Sequence, residues 1–96
     1  MFARVAKWEG VAPERMKAFA EQIANADGPP EGVPSSGIML LNDPDSGRSL
    51  TIALFDSEED LRKGDEALNS MNPDQGEGQG TRTSVEMYEV AADRRA

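Results

Sequence analysis

Residues 47–71 read GRSLTIALFDSEEDLRKGDEALNSM, a strand pattern that runs into a helix pattern with only a capping turn between them. Leu50, Ile52 and Leu54 alternate with Thr51, Ala53 and Phe55, so an extended backbone puts aliphatic side chains on one face and a second, partly apolar set on the other. Both faces of such a strand need cover. Asp56 and Ser57 can each accept from the free N–H groups of a helix start, and Glu58, Glu59 and Asp60 suit its positive end. Leu61, Gly64, Leu68 and Met71 then recur at spacings of three and four along one side. Gly64 costs about 1 kcal/mol in helix propensity relative to Ala, which fits either a close approach of another backbone or a simply tolerated glycine.

The pattern extends in both directions from this unit. Upstream, Phe2 to Glu9 alternates as a strand, with Ala3 and Val5 on one face and Phe2, Arg4, Ala6 and Trp8 on the other. Pro13 suits the first position of a helix, whose face is marked by Met16, Phe19, Ala20 and Ile23. Residues 28–36, GPPEGVPSS, cannot continue a helix or join a central strand, so they form a loop long enough to shape a binding rim. Gly37 to Asn42 is a strand with Ile38 and Leu40 on one face and Met39 and Leu41 on the other. The turn DPDSG at 43–47 joins it to the third strand as a hairpin, with Gly47 free to take positive φ. Downstream, residues 72–81 form a loop, Arg82 to Val90 a fourth strand, and residues 91–96 a frayed tail.

Strand, helix, strand, strand, helix, strand is the split βαβ or ferredoxin-like order, an α+β fold with both helices on one face of a four-stranded antiparallel sheet. The chain has 96 residues and fits one domain over 1–96. The other sheet face has no element left to cover it. Phe2, Trp8, Phe55 and, by register, Met39 or Ile38 and Ala53 or Ile52 are expected there. Contiguous apolar patches usually mark interfaces, so two sheets are predicted to pack face to face in a homodimer.

Composition narrows the function. With 10 basic and 18 acidic residues the net charge is −8, a field that repels nucleic acid and anionic lipid. The absence of cysteine removes thiol catalysis, disulfides and Cys-ligated metal sites, and the absence of histidine removes a Ser-His-Asp triad and a His-ligated haem or zinc. Acid–base chemistry would fall to carboxylates, Tyr88 or lysines. No apolar run approaches the ~20 residues of a membrane span, and Met1 leads straight into a strand pattern. The expectation is a soluble, cytoplasmic protein with no nucleic-acid or membrane partner.

The opening FARVAKWEGV, the segment TIALFDSEEDLRKGDEAL and the closing RTSVEMYEV together resemble the dimeric α+β barrel superfamily, and within it the antibiotic biosynthesis monooxygenase-like group. The resemblance runs from Phe2 to Val90. It implies homodimers with a small-molecule pocket between sheet and helices, and oxygenases that need no metal or flavin. Haem-degrading members use a histidine ligand, which this chain lacks. No cofactor and no metal are expected.

The candidate pocket comprises Arg4, Trp8, Phe19, Ile23, Phe55 and Tyr88. Trp8 would stack an aromatic substrate while Arg4 steers a phenolate or carboxylate, or else Trp8 packs at the strand end or dimer interface. Tyr88 beside Glu86 would relay a proton, or form a solvated strand face. Gly76, Gly78 and Gly80 lack the Gly-Lys-Ser/Thr ending of a phosphate loop and precede a strand, so they read as a loop or lid. Asp43 and Asp45, like Glu58, Glu59 and Asp60, read as turn and helix-start residues rather than metal ligands. Two functions remain open: a small-molecule-binding dimer working as a cofactor-independent monooxygenase on an aromatic or polyketide-like substrate, or a non-catalytic binding or assembly module.

Overall fold

The computed structural model describes residues 1–29, 32–70 and 80–94. The elements run β1 Phe2–Glu9, α1 Pro13–Ala24, β2 Gly37–Asp43, β3 Arg48–Phe55, α2 Glu58–Ser70 and β4 Thr81–Glu89. This is the predicted ferredoxin-like βαββαβ order. The strands form one antiparallel sheet in the order β2-β3-β1-β4, which puts the third strand beside the first at the centre. β4 begins and ends one residue earlier than Arg82 to Val90, because Thr81 already pairs with Glu9 across β1. Residues 91–94 carry no regular structure. Met71, most of the predicted loop at 72–81, and residues 30, 31, 95 and 96 lie outside the described residues.

Local chemistry sets the joints. The Ser57 hydroxyl accepts the Asp60 backbone N–H at 3.1 Å and caps α2, while α1 starts on Pro13 with no side-chain cap. In the β2–β3 turn the Gly47 N–H donates to the Asp43 carbonyl at 3.0 Å, and Gly47 takes φ +74°. That conformation excludes most side chains.

The register assigns every strand residue to a side. One side carries the rows Ile38–Ala53–Arg4–Met87, Leu40–Thr51–Ala6–Val85 and Asn42–Ser49–Trp8–Arg82, with Phe2 opposite Phe55. Helix α2 covers this side, since Arg4 bonds to Asp65 and Asn69 on α2. Its core is Val33, Ala53, Phe55 and Leu61, with Phe2, Ala67 and Leu68 packed against it. Val33 lies in the loop predicted as a binding rim, yet it is buried in this core.

The opposite side carries Gly37–Leu54–Ala3–Tyr88, Met39–Ile52–Val5–Glu86 and Leu41–Leu50–Lys7–Ser84. No described element covers it. The expectation that Phe2, Trp8, Ala53 and Phe55 lie on this open face is therefore corrected: they face the helices, and Met39 and Ile52 are the members of the predicted set found here. The reason is Gly64. It is buried on α2, and a Cβ added there would fall on the Phe55 ring. A missing methyl group lets Phe55, with 0% exposure, tuck beneath the helix and fixes which face of β3 is inside.

Gly64→Ala is accordingly expected to destabilise the fold. The substitution recovers about 1 kcal/mol of helix propensity but overpacks a filled site, at roughly 1–3 kcal/mol. A urea midpoint below wild type, equivalent to a loss of about 1 kcal/mol in unfolding free energy, is the expected result, and a midpoint above wild type would contradict this packing.

Candidate functional site

Two polar clusters lie on opposite sides of the sheet. On the helix side, Arg4 is only 4% exposed. Its Nε donates to Asp65 Oδ1 at 2.8 Å and its Nη2 donates to Asn69 Oδ1 at 3.0 Å. Arg82 on β4 reaches the same amide oxygen, with Nη1 at 3.0 Å. Asp65 and Asn69 are four residues apart, which places both on one side of α2. A buried guanidinium needs hydrogen-bond partners, and Asp65 and Asn69 take two of the five N–H donors of Arg4. Trp8, half-buried, is the cross-strand partner of Arg82 and stands between it and Ser49.

On the open side, Lys7 Nζ lies 2.9 Å from Glu86 Oε1, and the Tyr88 hydroxyl donates to Glu86 Oε2 at 2.8 Å. Lys7 and then Tyr88 hold the Glu86 carboxyl below its usual range by hydrogen bonding to the charged form. The same carboxylate raises Lys7 and raises the Tyr88 phenol. A phenol made less acidic is a donor and a poor base at neutral pH. Because Glu86 is lowered, its contribution to stability is complete above the ordinary glutamate range and is lost as pH falls through the lowered value.

The predicted pocket residues do not all meet. Arg4, Trp8 and Phe55 face the helices, but Phe55 is core and Arg4 is enclosed by its α2 partners. On α1, Ile23 is half-buried and Phe19 is 42% exposed. Tyr88 lies across the sheet from Arg4, Trp8 and Phe55. It cannot share a pocket with Trp8, because successive residues of a strand point to opposite sides and the register sends these two apart. Asp65, Asn69 and Arg82 escaped the sequence reading, although Asp65 and Asn69 continue the Leu61 and Leu68 face of α2.

A groove of about 560 Å3 crosses one end of the sheet and draws its lining from all four strands, including Trp8, Asn42, Ser49 and Thr83. The Ser49 hydroxyl donates to Asn42 Oδ1 at 2.8 Å along it. A smaller cleft of about 300 Å3 lies between the Gly32–Val33–Pro34 loop and Lys63.

The acidic clusters serve the fold. Arg48 Nη2 donates to Asp43 at 3.0 Å across the hairpin, and Ser46 and Arg48 hold the Asp43 carboxyl low. Glu58 and Glu59 pair with Arg62 and Lys63 one turn on. Among the described residues no group of three or more metal-binding side chains converges, and no helix is long and apolar enough to cross a membrane.

No protein-family model and no curated protein matches the sequence. Among solved structures, a mutant of MhuD crystallised with two manganese protoporphyrin IX bound per active site superposes with a TM-score of 0.66. It is 17% identical, and the match covers 100% of both chains. The likeness to the α+β barrel group implied by FARVAKWEGV, TIALFDSEEDLRKGDEAL and RTSVEMYEV is thus borne out at the level of the fold, a ferredoxin-like βαββαβ domain shared over its whole length with MhuD.

Proposed function

We propose that this chain is a small-molecule-binding protein that works as a homodimer, its two sheets packed open face to open face. The observation that carries this reading is the row Met39–Ile52–Val5, flanked by Leu41–Leu50 and by Leu54–Ala3, on a side of the sheet that no described element covers. Met39 is 44% and Leu41 44% exposed in the single chain. An apolar surface continuous over three strands is the kind that a second subunit buries. Lys7, Glu86 and Tyr88 form a polar margin along the β4 edge of the same face, as expected of an interface rim.

The ligand side is the helix side, at the end of the sheet marked by Trp8. There the Trp8 indole and the groove that it lines with Asn42 and Ser49 suit a planar, partly polar organic molecule. Cofactor-independent oxygenation of an activated aromatic or polyketide-like compound is the activity compatible with such a site, with the substrate supplying its own electrons to oxygen. MhuD, with two manganese protoporphyrin IX in its active site, supports occupancy of this fold by large planar ligands. The competing reading, a non-catalytic binding or assembly module, draws on one observation: Tyr88 and Glu86, the pair suited to proton relay, lie on the open face away from Trp8.

Trp8→Ala separates the ligand role from the dimer role. The variant is expected to remain dimeric and to lose binding of planar aromatic compounds at least tenfold in a fluorescence or NMR titration. Loss of the dimer with ligand binding intact would eliminate the pocket reading.

A further inference from the structure

Arg4 was the cation expected to meet a ligand, but the hydrogen bonds commit it elsewhere. Its Nε and Nη2 are both spent on α2, and it is 4% exposed. Arg82 is different. Its side-chain hydrogen bond goes to the neutral Asn69 amide, whose oxygen it shares with Arg4, and among the described residues no carboxylate pairs with it. Among the described residues, Asp65 is the one carboxylate bonded within this cluster of two guanidiniums.

Among the described residues this arrangement sets two guanidiniums against one carboxylate, in a chain whose net charge is −8. Each guanidinium nitrogen is 3.0 Å from Asn69 Oδ1, so the two donors lie within twice that distance of each other. Like charges held so close favour an anion beside them. Arg82 is half-buried, and among the described residues one of its five N–H donors is bonded, in a planar fork that matches a carboxylate. Its cross-strand partner is Trp8, on the same side of the sheet. An indole face next to a forked cation selects an aromatic ring that carries an acid group.

From this geometry we propose that Arg82, rather than Arg4, binds the carboxylate of an aromatic acid whose ring lies against Trp8, and that Arg4 is a positioning residue acting through Asn69. The proposal rests on the small-molecule reading of the helix side and names its ligand class. A chain this acidic repels anions at long range, so retention of the acid depends on the local fork and is sensitive to its geometry.

The test follows the Trp8 indole N–H by NMR while the full chain is titrated with benzoate and with its neutral isostere benzamide. Trp8 is the sole tryptophan, so the signal needs no assignment. Benzoate is expected to shift it saturably and to bind at least tenfold more tightly than benzamide. Arg82→Gln is expected to remove that preference while leaving benzamide binding unchanged, and Arg82→Lys, which keeps the charge without the fork, to retain an intermediate preference. Equal binding of benzoate and benzamide by the wild type overturns the carboxylate assignment and leaves the pocket reading standing; that comparison needs no variant to fold. Benzoate binding undiminished in Arg82→Gln overturns it likewise. If neither compound moves the indole signal at millimolar concentration, the pocket reading and the proposal fall together.

Discussion

With the open faces paired as proposed, Ile52→Lys is expected to convert the dimer to a folded monomer. Ile52 sits between Met39 and Val5 in the central row of the open face, where a dimer axis would bring the two copies of the substitution into one interface. A two-fold interface uses the same patch on both subunits, so the substitution enters twice, once from each. Burying an unpaired ammonium costs several kcal/mol even after relaxation, and the two together imply a dissociation constant weakened at least ~1,000-fold, equivalent to about 4 kcal/mol. The monomer itself should lose little, because an exposed lysine on a strand can keep its head in water. Size-exclusion chromatography with light scattering reads the first effect and circular dichroism the second. A variant that remains dimeric would place the interface elsewhere.

Arg4→Ala is expected to be the most costly single change to the fold among the polar residues. It removes the guanidinium that joins the centre of the sheet to α2 through Asp65 and Asn69. The Asp65 side chain, 23% exposed, keeps partial access to water, so the loss should fall near the lower end of the range for breaking a buried pair, about 3 kcal/mol. Urea unfolding of Arg4→Ala measures it directly. Pairing Arg4→Met with Asp65→Leu should cost less than the two single changes combined, because an apolar pair of similar volume leaves no orphaned charge. Wild-type stability in Arg4→Ala would mean that the network contributes nothing to the fold.

The order of elements was legible because each boundary carries its own chemistry: Pro13 at the start of α1, Ser57 capping α2, Gly47 at positive φ in the hairpin. The inside of the sheet was harder to read. β3 carries Leu50, Ile52 and Leu54 on one side and Ala53 and Phe55 on the other, so a period of two marks it as a strand without saying which side faces the helices. The deciding contact, Phe55 under Gly64, joins strand and helix through space. The candidate site divided for a related reason. Arg4 and Trp8 were legible as neighbours along β1, whereas Arg82 reaches Trp8 only across a bulge between Lys7 and Trp8 in the β1–β4 pairing. Tyr88 was separated from them by that same pairing.

The central claim is that the open face is a subunit interface. Sedimentation of the unmodified protein at micromolar concentration tests it most directly. A single species of twice the 10.4 kDa chain mass is the result this account predicts, and a monomer at that concentration would contradict it.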